Sequence, residues 1–173
     1  LDVIYRKTAS ILSVSARLGG LIANATEEQE TAIIAFGDDF GMAFQLMDDA
    51  LDYDADESVL GKPTGTDFKE GHVTLPLHHL YHNADRGLRK EIEAFIKNEN
   101  ITPADVQYIV GHMHKHKSIE YTVNLASHYI DRAKSHLRKA DFPEPRYIEY
   151  FDAVADYIHS RHTQSGEQAP ITR

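Results

Sequence analysis

Along most of the chain, apolar residues recur at the three- and four-residue spacing of a helix face. Strand-like alternation and turn dipeptides are scarce, so the pattern predicts an all-α protein. The spacing predicts helices over roughly 2–24, 28–54, 73–83, 86–98, 103–115, 118–139 and 146–162. Thr102-Pro103 reads as an N-cap followed by proline at the first helical position, where a missing N–H costs nothing. Asn98-Glu99-Asn100 is a polar connection, and Phe142-Pro143-Glu144-Pro145 breaks the chain before the last helix. Residues 1–162 read as one domain without internal repeats. Residues 163–173 hold little apolar content and read as a disordered tail.

The helix over 28–54 has two unlike faces. With Gln45 at zero and about 100° per residue, Asp38, Gly41, Asp48, Asp49 and Asp52 lie within about 60° of it. Ile33, Phe36, Phe40, Ala43, Phe44, Leu46, Met47, Ala50 and Leu51 fill the opposite arc, the stripe a packed helix buries. Asp48 and Asp52 repel each other at i,i+4 by roughly 0.2–0.5 kcal/mol in an isolated helix, and no basic residue stands within a turn to relieve them. A divalent cation is the simplest relief. Carboxylates without His or Cys suit Mg2+, which takes one or two protein carboxylates alongside substrate phosphates. A calcium-binding loop starting at Asp52 fails, because Glu57 stands where glycine is required and Pro63 where a bidentate glutamate is required.

Charge sharpens this picture. The net charge is −9, yet no Lys or Arg occurs between Arg17 and Lys62, a stretch holding 11 acidic residues. That concentration repels nucleic-acid phosphate, so no nucleic-acid partner is expected. The 173 residues contain no cysteine, which excludes a disulfide scaffold and thiolate metal sites and points to a reducing compartment. No membrane span and no signal-peptide pattern is present, so the expected location is cytoplasmic. The chain does not begin with Met, which suggests that it starts inside a longer polypeptide. The 11 histidines include His78 with His82 and His112 with His116 at i,i+4, but neither pair brackets the glutamate of a zinc-protease helix, and they read as surface residues. Tyr121, Tyr129, Tyr147, Tyr150 and Tyr157 read as core or interface aromatics. Residues 60–75 carry three glycines and a proline between helices, a loop long enough to be functional.

Phe44-Gln45-Leu46-Met47-Asp48-Asp49-Ala50-Leu51-Asp52 resembles the second aspartate-rich motif, F-Q-x-x-D-D-x-x-D, of the trans-isoprenyl diphosphate synthases. Lys7-Thr8 resembles the K-T pair of that family. Gly61-Lys62-Pro63 with Gly65-Thr66-Asp67 resembles its G-K-x-x-x-x-D loop, and Thr74-Leu75-Pro76-Leu77 the opening of its next helix. Four motifs in order are hard to reach by chance. The resemblance covers residues 4–82, while residues 83–162 fit as generic C-terminal helices.

The resemblance implies the C-terminal helices of an isoprenoid-synthase helical bundle, with the N-terminal half absent. It implies a prenyltransferase that condenses an allylic prenyl diphosphate with isopentenyl diphosphate head to tail, assisted by Mg2+, and that forms a homodimer as an intact chain. Asp48 would lead as metal ligand, with Asp49 and Asp52 supporting it. Lys7, Lys62, Lys69, His72 and Phe44 would bind substrate, and Thr8 and Gln45 would sit beside the allylic C1. Two departures stand out. His72 occupies a place where the family usually has lysine, and the first D-D-x-x-D motif is missing, so the 173 residues alone are expected to be inactive. The alternatives are a non-catalytic diphosphate-binding or regulatory subunit of a heteromeric synthase, and an unrelated Mg2+-dependent helical hydrolase.

Overall fold

A computed structural model of the chain describes residues 1–54, 64–98 and 100–166, with side chains through Arg161. Every regular element among these residues is helical. The first helix, α1, covers residues 2–22 as Asp2–Ile4, a π-helical turn Tyr5–Ala9, and Ser10–Ile22. It is followed by α2 Glu27–Asp54, α3 Thr66–Lys69, α4 Leu75–Asn83 and α5 Arg86–Ile96, then by α6 Pro103–Lys115, α7 Ser118–Leu137 and α8 Pro145–Gly166. The short α3, unseen in the sequence, lies inside the expected loop. The last helix runs four residues past its expected end, and residues 167–173 of the expected tail lie outside the described residues.

Caps fix several boundaries. Thr26 and Gln29 form a reciprocal capping box, with Thr26 N–H donating to Gln29 Oε1 at 3.0 Å and Gln29 N–H donating to Thr26 Oγ1 at 3.3 Å. Glu27, Glu28 and Glu30 then occupy the first turn of α2, where the helix dipole favours negative charge. Thr102 and Asp105 build a second capping box ahead of α6, and the Asp85 carboxylate accepts from Leu88 N–H at 2.9 Å to start α5.

Within the expected single domain, the chain divides into two compact units. The first contains residues 1–47 and 125–161. Its core gathers Phe36, Ala133 and Leu137, with Ile33, Phe40, Phe142 and Ile148 packed against them. The Phe36 ring stacks on Phe40 at 5.4 Å and meets the edge of Phe151 at 5.1 Å. Two glycines set how closely α1 and α2 approach. A Cβ on Gly37 would lie 2.7 Å from Ser13 Cα, and one on Gly41 only 2.4 Å from Ala9 Cα. The sequence put Gly41 on the polar stripe; in the fold it is buried against the π-helical turn. The buried Asp39 is held by Arg132 at 3.1 Å and His136 at 2.9 Å, which satisfies a charge that would be costly alone.

The second unit contains residues 48–124 and those after 161. Tyr53, Phe68, Leu77, Leu80, Ile92, Ile109 and Met113 are fully buried in it. Its α4 packs on α5 and α6. Phe68, from α3, meets the edge of Phe95 at 6.0 Å. Gly65 opens α3 in the left-handed region (φ +70°), against Val106.

Tyr121, Tyr147, Tyr150 and Tyr157 are exposed, so these tyrosines do not belong to the core. Their hydroxyls keep them compatible with solvent, and on α8 the buried places go to Ala155 and Ile158. Among the histidines, His79 is drawn inward: its ring stacks on Tyr121 at 4.3 Å and its Nδ1 bonds Ser118 Oγ at 3.0 Å. Burial pushes its pKa down, and the neighbouring His116 and His78 push in the same direction.

Candidate functional site

In the first unit, the π-helical turn of α1 carries Lys7 and Thr8. Ser10 N–H bonds Tyr5 O across five residues, which widens the backbone there, a distortion that recurs at functional positions. Lys7 is exposed. Thr8 Oγ1 donates to Gln45 Oε1 at 2.6 Å, joining two sequence motifs 37 residues apart. Gln45 is buried, and the contact depends on Gly41, one helical turn earlier, admitting α1. Phe44, placed on the apolar arc by the wheel, is 38% exposed, and Arg161 lies 5.9 Å over its ring. Tyr5 stands beside Asp38, whose charge and hydrogen bond raise its pKa above the usual tyrosine value.

In the second unit, the last turn of α2 carries Asp48, Asp49, Asp52, Tyr53 and Asp54. The C-terminus of a helix is the least favourable place for carboxylates, because the dipole is negative there and this turn contains no basic residue. Asp48 is half-buried, while Asp49 and Asp52 are 4% and 1% exposed. At Asp49 and Asp52 their face is therefore not the solvated edge of an amphipathic helix. Asp52 is met by backbone donors. Its Oδ2 accepts from Asp67 N–H at 3.0 Å, and its carbonyl oxygen accepts from Gly65 N–H at 2.6 Å. Asp54 Oδ1 lies 3.6 Å from His114 Nε2.

The segment after α2 carries the remaining expected contacts. Lys69, in α3, is half-buried. His72 is exposed and its Nδ1 lies 3.6 Å from both Asp67 Oδ1 and Glu70 Oε2, so its ring faces carboxylates. Lys62 lies outside the described residues. Sequence reasoning missed Tyr53, whose buried hydroxyl bonds Thr74 Oγ1 at 3.1 Å. Burial drives its pKa well above the usual tyrosine value, and the charges of Asp52, Asp67 and Asp49 add to that rise. A tyrosine adjoining an aspartate-rich turn and a threonine opening the next helix were the available signal.

Among the described residues, no group of three or more His, Asp or Glu side chains is arranged to hold a metal ion. Side chains at i and i+4 on a single helix stand about 5–6 Å apart at Cβ, and Asp52 already receives a backbone N–H. The donors nevertheless fit Mg2+ in the share a protein usually gives it, one or two hard carboxylate oxygens.

The sequence profile of the polyprenyl synthetase family matches residues 1–113, which include every candidate residue described above. The chain belongs to this family. It is 39% identical over 159 residues to the octaprenyl diphosphate synthase of Haemophilus influenzae, a match covering 90% of this chain and 46% of that protein. It is 33% identical over 158 residues to heptaprenyl diphosphate synthase component 2 of Bacillus subtilis, covering 91% and 44%. The crystal structure of a polyprenyl synthase from Caulobacter crescentus, complexed with calcium and isoprenyl diphosphate, superimposes with a TM-score of 0.86 at 32% identity, covering 93% of this chain and 48% of that one. The chain thus spans about half the length of the relatives it matches. The all-α class read from the sequence agrees with this likeness, and the helices of this polyprenyl synthetase chain match part of the isoprenoid-synthase fold.

Proposed function

We propose that the chain is the C-terminal half of a cytoplasmic, homodimeric prenyltransferase that condenses an allylic prenyl diphosphate with isopentenyl diphosphate. In that reaction the allylic C1–O bond breaks with its electron pair leaving on the diphosphate, the isopentenyl double bond attacks C1, and a proton is lost. The observation that carries this reading is the 2.6 Å bond between Thr8 and Gln45, which joins the K-T pair to the F-Q-x-x-D-D helix. The resemblance implies that both residues sit beside the allylic C1, and their contact supports that reading. The pair presents neutral oxygens suited to a carbocation, since neither residue can donate a full charge and trap it.

Lys7 and Lys69 would take the diphosphate oxygens, and Phe44 would border the prenyl chain. Asp48, with Asp49, would hold Mg2+. When bound, that ion would neutralise charge building on the leaving diphosphate. His72 lies 3.6 Å from Asp67 and from Glu70, and an imidazole, unlike a lysine, carries charge only when protonated, so it is the weaker anion contact. The relative named component 2 keeps a second reading in view, a diphosphate-binding subunit whose partner completes the site.

The test is condensation by the chain expressed together with the residues encoded upstream of Leu1, supplied with allylic and isopentenyl diphosphates. Product growth that disappears in Asp48→Asn is the expected result. Hydrolysis of diphosphate without chain growth points instead to the hydrolase. The 173 residues alone are expected to bind inorganic pyrophosphate in a Mg2+-dependent way and to give no turnover; steady-state condensation by them would break the proposal.

A further inference from the structure

Two adjacent residues at the end of α2 hold both ends of the segment over residues 64–74. At its start, Asp52 accepts from Asp67 N–H through Oδ2 and from Gly65 N–H through its main-chain carbonyl. At its end, Tyr53 bonds the Thr74 side chain. Between these points the segment is closed on itself: His72 N–H donates to Asp67 O at 2.8 Å and Gly71 N–H to Phe68 O at 3.1 Å. Phe68 is fully buried against Phe95, and Gly65 turns with φ +70° against Val106. The segment is therefore pinned at three places, and it carries the amine of Lys69 and the imidazole of His72.

From this we infer that Asp52 and Tyr53 are positioning residues, which fix segment 64–74 to the end of the aspartate-rich helix and so set where Lys69 presents its charge to a diphosphate. This rests on the function proposed above only for the identity of the anion; the clamp itself is a property of the chain. It also divides the three aspartates by work. In the function proposed above Asp48 and Asp49 would hold the cation, whereas Asp52 gives an oxygen to a backbone amide. A charge-assisted bond of that kind, buried away from water, is roughly twice as strong as a neutral one. Tyr53 supplies the second anchor without charge.

Two variants separate clamp from ligand. Asp52→Asn removes the negative charge but keeps an oxygen able to accept from Asp67 N–H. Asp52→Ala removes both. Amide exchange of the 173-residue chain, without metal, is expected to quicken at Asp67 by about fiftyfold in Asp52→Ala and by less than about tenfold in Asp52→Asn. Tyr53→Phe is expected to quicken exchange around residues 72–75 alone. Calorimetric titration with Mg2+ and inorganic pyrophosphate is expected to show Asp52→Asn restoring most of the affinity that Asp52→Ala loses. The inference is overturned if Asp52→Ala leaves Asp67 exchange within about threefold of the parent. Should Asp52→Ala not fold, Asp52→Asn decides alone: a protected Asp67 amide with affinity lost as fully as in Asp48→Asn makes Asp52 a ligand. Failure of the parent chain to bind pyrophosphate would count against the proposed function and leave the exchange result standing as the test of the clamp.

Discussion

Around Gly37 and Gly41 in the first unit, α2 meets α1 at close range, and neutral hydrogen bonds join the two helices there, Thr8 to Gln45 and Ser13 to the Ile34 carbonyl. In the second, the last turn of the same helix buries carboxylates and answers Asp52 with backbone N–H groups from Gly65 and Asp67. The first contact is a matter of shape, because a neutral amide and hydroxyl need only be brought within reach. The second is a matter of charge, since a buried carboxylate at a helix C-terminus opposes the dipole and must be given donors. One region is therefore sensitive to volume, the other to hydrogen-bond chemistry.

The sharpest way to break the comparison is Gly41→Ala. Helix propensity favours alanine by about 1 kcal/mol, but the new Cβ would meet the Ala9 backbone, which no rotamer change can relieve. A net loss of about 2 kcal/mol is expected in urea unfolding, and a stabilised variant would show that α1 is not pressed against Gly41. Gly65→Ala comes next. It places an L-residue at φ +70° and a Cβ 2.4 Å from Cγ1 of Val106, a buried β-branched side chain held to one rotamer by its helix. About 1–2 kcal/mol is expected from the backbone strain and this contact together. A double-mutant cycle of Thr8→Val and Gln45→Leu should return a coupling of about 1 kcal/mol, the ordinary value for a neutral bond. A coupling near zero would remove the observation on which the functional proposal stands.

The smallest effect is expected from pH, through His79. Burial lowers its folded pKa below its ordinary 6.5, so the unfolded chain binds the proton more readily and stability rises with pH across that window. The contribution is present above about pH 6.5 and fades as pH falls through that value and below it. Comparing urea midpoints at pH 7.5 and 5.5 should show a drop that His79→Asn reduces; an equal drop in both would assign it to other groups.

Helix periodicity, the Thr102-Pro103 cap and the ordered motifs were legible in the sequence, because each is a local relation among residues a few positions apart. The same locality misled the reading of α2. A wheel separates polar from apolar arcs but does not know how many neighbours a helix has, so it put Asp49 and Asp52 on the polar face without showing that they are buried, while Phe44, on the apolar arc, is partly exposed. Gly41 shows the limit most plainly. By sequence it was one more residue on a polar stripe; its meaning comes from Ala9, 32 positions away, and only the packing of α1 on α2 reveals it. The sequence determined that this chain is helical, acidic around α2 and equipped with polyprenyl synthetase motifs. Tertiary structure decided which of those motif residues touch, because a hydrogen bond between Thr8 and Gln45, or between Asp52 and the Asp67 amide, depends on separations no local pattern encodes.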